Sequence, residues 1–465
     1  MTTQEAAGAV PETGESSDTG SRLDRLPASG WHRRLTAIVG IGAFFDLYEV
    51  FLGGVLAAAL AEPWGLSHHQ KSWLIASSFL GMFVGANVLS FLADRFGRRR
   101  MFLINLGAYS LCSLACAFAQ DATQLSVLRF LAGLGLGAEL VLVDTYLAEF
   151  LPRSVRGRYI AWAYTLGFVG VPVAALLGAR LVAKHELFGV DGWRWLLVAG
   201  ALGAAFIQLL RTRLPESPRW LSARGRNAEA EAIVRDIEAR AGGAPTPTKP
   251  PAVRPEPAEA PTGPVRVPLK RMFQPPYARR TIMWWIFQVL QTVGYYGFGS
   301  LAPVVLQAKG HTVTESLTYA ALSYLGYPVG SALSVPLIDR VERRTLIIAS
   351  ALGIASFGLV FAFASASWLI VGAGFLLTVC SNVFSNAFHV YQTEIFPTGL
   401  RSSAIGIAYS LSRLTSVVLP FVALDVLEDL GATAVFTGSG VLMVLLCVNV
   451  RLLGPRTNGR ALDAI

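Results

Sequence analysis

The chain has 465 residues, of which 53% are hydrophobic and only 15% charged, with a formal net charge of +9 and a mean hydropathy of +0.50. An average soluble domain is about 25% charged, so most of this surface must face lipid. The excess Lys and Arg sits at the ends of apolar segments and not on one soluble face, which excludes a nucleic-acid partner.

Residues 1–33 are polar at first and hold no apolar core of a signal sequence, so they read as a disordered tail. Six stretches of about 20 apolar residues follow between 34 and 211, at 34–60, 71–93, 101–119, 125–148, 158–183 and 193–211. A polar connection runs from 212 to 279. Within it, residues 228–242 read as a short helix near the membrane, and the Pro- and Ala-dense residues 244–268 as an extended spacer. Six more stretches lie between 280 and 453, at 280–306, 315–338, 345–364, 368–393, 402–426 and 432–453, and residues 454–465 close the chain. The expectation is an all-α membrane protein with twelve transmembrane helices in two pseudo-symmetric six-helix bundles. Cations cluster at 33–34, 95–100, 153–158, 211–280, 340–344, 401 and 451–460, marking every second connection. The positive-inside rule then places both termini in the cytoplasm. Cys112, Cys116, Cys380 and Cys447 all fall in apolar stretches as small packing residues.

The two halves repeat at one offset. Asp94 and Asp339 are 245 positions apart (339 − 94), and the same spacing relates Gly85 to Gly330, Arg95, Arg98 and Arg99 to Arg340, Arg343 and Arg344, Tyr146 to Tyr391, Glu149 to Glu394, and Arg156 to Arg401. Charged residues recurring in phase between apolar segments point to a duplicated bundle. Small residues at Gly85, Ala86 and Ser90 allow a neighbouring helix to approach, and the arginines that follow meet the cytoplasmic surface. Glu149 with Arg156, and Glu394 with Arg401, supply charges that can pair with these arginines in one conformation and part in another, forming a cytoplasmic gate. For the arginines alone, anchoring to headgroups is an equal alternative.

The segments GANVLSFLADRFGRRR (85–100), RFLAGLGLGAEL (129–140), AEFLPRSVRGR (148–158), PESPRWL (215–221) and TEIFPTGLRSSAIG (393–406) together resemble the major facilitator superfamily over nearly the whole chain. PESPRWL and the tail TNGRALDAI are similar to the sugar-porter signature, although Arg456 stands where that tail usually has Glu. AEFLP, the YYG at 295–297 and SLSRLTSVVLP (410–420) are similar to the niacin, organic-anion and synaptic-vesicle-type branch. The resemblance implies two bundles rocking about a central site, alternating access and residence in the cell (inner) membrane.

Substrate chemistry is read from charges within the spans, because an ionisable residue near a helix centre costs about 2.5 to 3.5 kcal/mol on insertion scales and so faces a cavity or partner. Asp46 and Glu49 lie three apart on one face of span 1, and span 4 carries Arg129 and Glu139. By the flanking motifs, Glu49 and Arg129 correspond to the acid and arginine of proton-coupled sugar porters, and Asp46 to the span-1 acid of the metabolite and niacin-like branches. These four residues are the expected proton-coupling set, with a static ion pair between spans 1 and 4 as the plain alternative. Arg413 lies about eleven residues, or about 16 Å, inside span 11. The organic-anion branch has a similarly placed arginine, and a guanidinium offers a bidentate partner to a carboxylate. Gln288, Gln291, Tyr295, Tyr296, Tyr324, Tyr327, Asn382 and Asn386 are expected around it, though a lone Tyr or Asn also serves as an interhelical hydrogen bonder. Gln291 follows Asp46 at the repeat offset (291 − 46).

The expected function is a proton-coupled importer of a small organic acid, active as a monomer, with the solute, protons and the bilayer as partners. A proton-coupled sugar or polyol porter is the rival within the class, and a transporter-like membrane sensor the rival outside it. No nucleotide loop, metal cluster or nucleophile constellation points to an enzyme or a cofactor, and His68 with His69 reads as an interfacial pair.

Overall fold

A computed structural model describes residues 19–152, 154–182, 186–212, 214–241, 269–275, 277–396 and 398–457. The spacer at 244–268 and the ends of both tails lie outside the described residues.

The first half contains α2 (Gly30–Ala59), α3 (His68–Phe96), α4 (Arg98–Cys116), α5 (Ala122–Phe150), α6 (Arg156–Phe168), α7 (Gly170–Val182) and α8 (Gly192–Arg211). The second contains α11 (Tyr277–Ala308), α12 (Val313–Tyr324), α13 (Gly326–Arg340), α14 (Arg343–Phe363), α15 (Ser367–Glu394) and α16 (Thr398–Leu453). Ten continuous stretches are long and apolar enough to cross a membrane. Twelve spans result once α4, whose first turn carries three arginines, is included and α16 is divided at Gly431. Gly431 has φ 80 and ψ 175, a backbone that only glycine takes without strain, and it reverses the chain between spans 11 and 12.

Two spans are each broken four residues before a proline. Pro172 cannot donate to the carbonyl of Phe168, where α6 ends, and Pro328 cannot donate to that of Tyr324, where α12 ends. Close helix crossings use small residues. A Cβ on Gly85 would lie 1.8 Å from the Leu134 carbonyl oxygen, and one on Gly330 would lie 2.3 Å from that of Val379. Gly81 and Gly326 repeat this one turn earlier, so α3 lies on α5 as α13 lies on α15.

The halves meet along α2 and α11, along α3 and α16, and along the α6–α7 and α12–α13 pairs. An aromatic layer fills the middle. Phe51 packs on Tyr296 and Tyr327 at 6.4 and 5.9 Å, Phe168 stacks on Tyr327 at 5.7 Å, and Phe79 meets Tyr296 at 5.4 Å. Polar contacts across the seam include Thr165 with Ser331 (2.9 Å), Gln307 donating to the Ala58 carbonyl (2.9 Å), Ser410 donating to Asn87 Oδ1 (3.2 Å) and Ser72 donating to the Pro420 carbonyl (3.3 Å).

At the arginine-rich end the structure corrects one expectation. Residues 19–33 are ordered, with α1 (Thr19–Arg25) burying Leu23 and Leu26 and α2 beginning at Gly30. Arg22 ties α1 to α10 (Asn227–Ala241) through Glu231 (2.6 Å) and Glu238 (2.7 Å). These partners hold the Arg22 guanidinium more firmly protonated, and the Arg22 and Arg235 hydrogen bonds lower the Glu231 carboxyl below its ordinary 4.5. The tail therefore has enough apolar and charged residues to dock on the intervening helix, which its overall polarity concealed.

Candidate functional site

The buried ionisable residues divide by half. In the first, Glu49 on α2 is 2% exposed and faces Arg129 on α5, 1% exposed, across 3.5 Å. Ser113 on α4 donates to the other Glu49 oxygen (3.0 Å), and Arg129 Nε donates to the Leu74 carbonyl (3.2 Å). Ten residues further along α5 from Arg129, Glu139 pairs with Arg211, the last residue of α8, and both are fully buried. The Arg211 guanidinium also lies 4.0 Å from the Phe102 ring. Asp46, likewise fully buried, faces Arg211 and lies beside the Tyr109 hydroxyl, and it forms no ion pair among the described residues.

Sequence reasoning placed Arg211 among the surface cations that set topology. The structure puts its head inside the bundle, since α8 ends where the chain turns inward toward Glu139. The signal that could have found it is charge balance, because Glu139 needed a partner within reach. Asp144 on α5 was also missed. It is exposed and faces Tyr164 of α6, whose other neighbours are Tyr295 and Tyr409 of the second half.

In the second half Arg413 on α16 is 3% exposed. Its Nη2 donates to the Tyr409 hydroxyl, and its guanidinium carbon lies 4.6 Å from the Tyr409 ring and 5.2 Å from that of Tyr296. Nη1 has no partner, and no carboxylate forms an ion pair with it among the described residues. Tyr295 packs edge-on to Tyr296 at 4.8 Å, and His389 on α15, stacked on Phe388, lies near the guanidinium.

The amides around it fall into two groups. Gln291 Nε2 donates to Gln288 Oε1 (3.0 Å) and to Ser412 (2.9 Å), binding α11 to α16. Gln288 Nε2, Gln291 Oε1, the Tyr327 hydroxyl and both polar atoms of Asn382 have no partner among the described residues, although all these residues are buried. Such groups await a ligand or water. Tyr324 and Asn386 are different: the first donates to the Gly299 carbonyl (2.7 Å) and the second to Ser334 (2.6 Å), so both are engaged in holding helices together.

The gate charges pair within their own halves here. Arg343 meets Glu394 at 3.3 Å, while Arg156 turns to Asp24 of α1 at 2.5 Å, a partner that the repeat could not reveal because Leu269 stands at the repeat offset from Asp24. Arg99 donates its backbone N–H to Glu216 (2.9 Å), Arg344 donates to the Gly454 carbonyl (3.1 Å), and Arg219 donates to the Glu149 carbonyl (3.3 Å). Arg95 and Arg340 are exposed. The side chains of Asp94, Arg98, Asp339 and Arg401 lie outside the described residues. An apolar cavity of about 260 Å³ between α11, α14, α15 and α16, lined by Gly294, Phe298 and Phe436, offers no charged group and lies apart from Arg413.

Residues 32–465 match the family described as sugar (and other) transporter. The putative metabolite transport protein YyaJ of Bacillus subtilis is 34% identical over 96% of this chain and 97% of its own length. The niacin transporter NiaP of Acinetobacter baylyi is 29% identical over 96% and 99%, and a gallate transporter of Pseudomonas putida is 29% identical over 90% and 91%. The xylose transporter XylE from E. coli, in a partially occluded inward-open conformation, has a TM-score of 0.74 at 19% identity, covering 93% of this chain and 100% of the XylE chain.

Proposed function

Because the chain belongs to the sugar (and other) transporter family and has the major facilitator fold, it is a multi-pass membrane transporter and not an enzyme; we propose that it imports a small organic acid together with protons by alternating access. The observation that carries this reading is Arg413. A buried cation with no carboxylate partner and one free edge is costly at membrane depth unless a substrate answers it. A planar carboxylate does so with two parallel hydrogen bonds. Tyr295, Tyr296 and Tyr409 surround the guanidinium with rings on which an aromatic acid can lie, in keeping with the niacin and gallate named for two relatives.

Asp46, Glu49, Arg129 and Glu139 supply the proton side in the other half, and the arginine-rich end faces the cytoplasm of the cell in which this membrane lies. The gate residues of that end hold their own bundles rigid while the bundles rock. A sugar or polyol is the second reading, favoured by the unpartnered amides of Gln288, Gln291 and Asn382, which suit hydroxyl groups.

Arg413 separates the two. Arg413→Lys keeps the charge and loses the planar fork, and Arg413→Ala loses both, so benzoate binding to the purified protein should fall by about 2 to 5 kcal/mol in the alanine variant. A hexose should be affected far less. Wild-type affinity for benzoate in a folded Arg413→Ala protein would turn the reading toward the sugar.

A further inference from the structure

The first half buries three carboxylates, Asp46, Glu49 and Glu139, against two guanidiniums, Arg129 and Arg211, each at most 2% exposed. Fully ionised, the set carries one negative charge too many for a site at membrane depth, and one proton makes it neutral. Glu49 and Glu139 each pair with a guanidinium, whereas Asp46 forms no ion pair among the described residues and has the neutral Tyr109 hydroxyl beside it. The charge balance and the ion pairs thus select the same carboxyl.

We infer that Arg211 is the positioning residue of this buried set, shared between Glu139 and Asp46, and that it thereby governs the one proton the set exchanges at Asp46. Arg211 uses Nη1 on Glu139, while its Nε and Nη2 hydrogens have no acceptor. Nη2 rests against Gly42, one turn before Asp46 on the same face of α2; a Cβ there would collide with it. The free edge of the guanidinium is therefore already beside the acid. When Asp46 releases its proton, the new carboxylate can draw those free N–H groups from α8 toward α2. When Asp46 is protonated again, Arg211 returns wholly to Glu139.

The groups facing Asp46 are few. Arg211 comes from α8 and Tyr109 from α4, Glu139 acts from α5 through Arg211, and Glu49 lies one turn further along α2. The α6–α7 pair presents Ala163, Gly167 and Gly170 to this stretch of α2. The inference rests on the reading of the chain as a proton-coupled acid transporter in one respect: the lone positive charge of Arg413 then takes one anion while Asp46 takes one proton, so a loaded cycle moves no net charge.

Infrared spectroscopy of the purified full chain, titrated with pH, follows the carbonyl stretch of a protonated carboxyl; the Asp46 band is the one that Asp46→Asn removes in each background. Glu139→Gln frees Arg211 for Asp46 and should lower the Asp46 midpoint by about one to three pH units, the effect of an opposite charge brought within hydrogen-bonding range. In the Arg211→Gln, Glu139→Gln double variant, which leaves neither partner stranded and so preserves the fold, that lowering should be lost. An unchanged midpoint in Glu139→Gln, or the same lowering with Arg211 absent, overturns the shared-arginine account. In vesicles, a potential set with potassium and valinomycin should leave the benzoate uptake rate unchanged, and a rate that follows the potential overturns the one-proton count. Absence of any uptake would instead refute the acid-transport reading, while the infrared titration still decides the role of Arg211.

Discussion

The first half places Asp46, Glu49, Arg129 and Glu139 where the second, 245 residues later, has Gln291, Gly294, Gly374 and Phe384; conversely, Arg413 corresponds to Phe168. Away from the centre the halves agree closely. Tyr146 donates to the Pro215 carbonyl (2.6 Å) as Tyr391 donates to that of Pro455 (2.8 Å), and the glycine crossings of α3 on α5 recur in α13 on α15. The duplicated part is the scaffold that must pack in lipid and turn at the membrane surface. The buried charges, which no packing requirement demands, have been sorted so that, among the described residues, Asp46, Glu49 and Glu139 with two arginines lie on one side of the central seam and Arg413 on the other. A rocking motion about the seam changes the distance between the two sets without unpacking either bundle.

Removing one member of a buried pair should strike the first half hardest. Glu49→Gln leaves Arg129 buried and unpaired and should lower stability by about 3 to 5 kcal/mol, with much of it regained in the Glu49→Gln, Arg129→Gln double variant; thermal unfolding in detergent measures both. Arg413→Met in the second half should unfold at or above the wild-type temperature, because it removes an unpaired buried cation. A loss there as large as that of Glu49→Gln would mean that Arg413 is bound into the fold and that the contrast between the halves fails.

Tyr409→Phe sharpens the same contrast. It removes a hydrogen bond that orients Arg413 and should weaken benzoate binding by about 1.5 to 3 kcal/mol while sparing the fold, as isothermal titration beside thermal unfolding would show. Gly85→Ala and Gly330→Ala probe the shared scaffold. Each overfills a helix crossing and should cost about 1 to 3 kcal/mol, similarly in both halves.

The smallest effect concerns α1, at the start of the first half. The Glu231 carboxyl lies below its ordinary value, so its contribution is present above the unfolded value near 4.5 and is lost as the pH falls through the lower folded one. The pair is partly exposed and screened, so the change should be about 1 kcal/mol or less. The protection of the residue 19–25 amides, relative to their intrinsic exchange at each pH, should fall in acid in the wild type and change less over that window in Glu231→Gln.

Much of the fold was legible because membrane burial leaves a coarse signal: apolar runs of the right length, cations at alternate ends and charges repeating in phase. Residues 1–33 misled because a docking helix needs only Leu23, Leu26 and Arg22 to find its place. That Asp46, Glu49, Arg129, Glu139 and Arg413 would be buried against a partner or cavity was legible from their cost, because each lies well inside a span. That signal failed for Arg211, which sits at a helix end where a surface cation is ordinary, and for Asp144, whose exposure within the interior depends on how the two bundles stand. Which of Tyr324, Tyr327, Asn382 and Asn386 remain free for a ligand was not legible either, since the acceptors of Tyr324 and Asn386 lie on other helices.

The central claim is that an organic anion and a proton move together. Uptake of labelled benzoate and labelled hexose into vesicles containing the purified chain, with and without an imposed proton gradient, tests it directly. The account predicts that benzoate accumulates above equilibrium only when the gradient is present and that hexose does not. Gradient-driven accumulation of hexose, with benzoate neither accumulated nor competing, would contradict it.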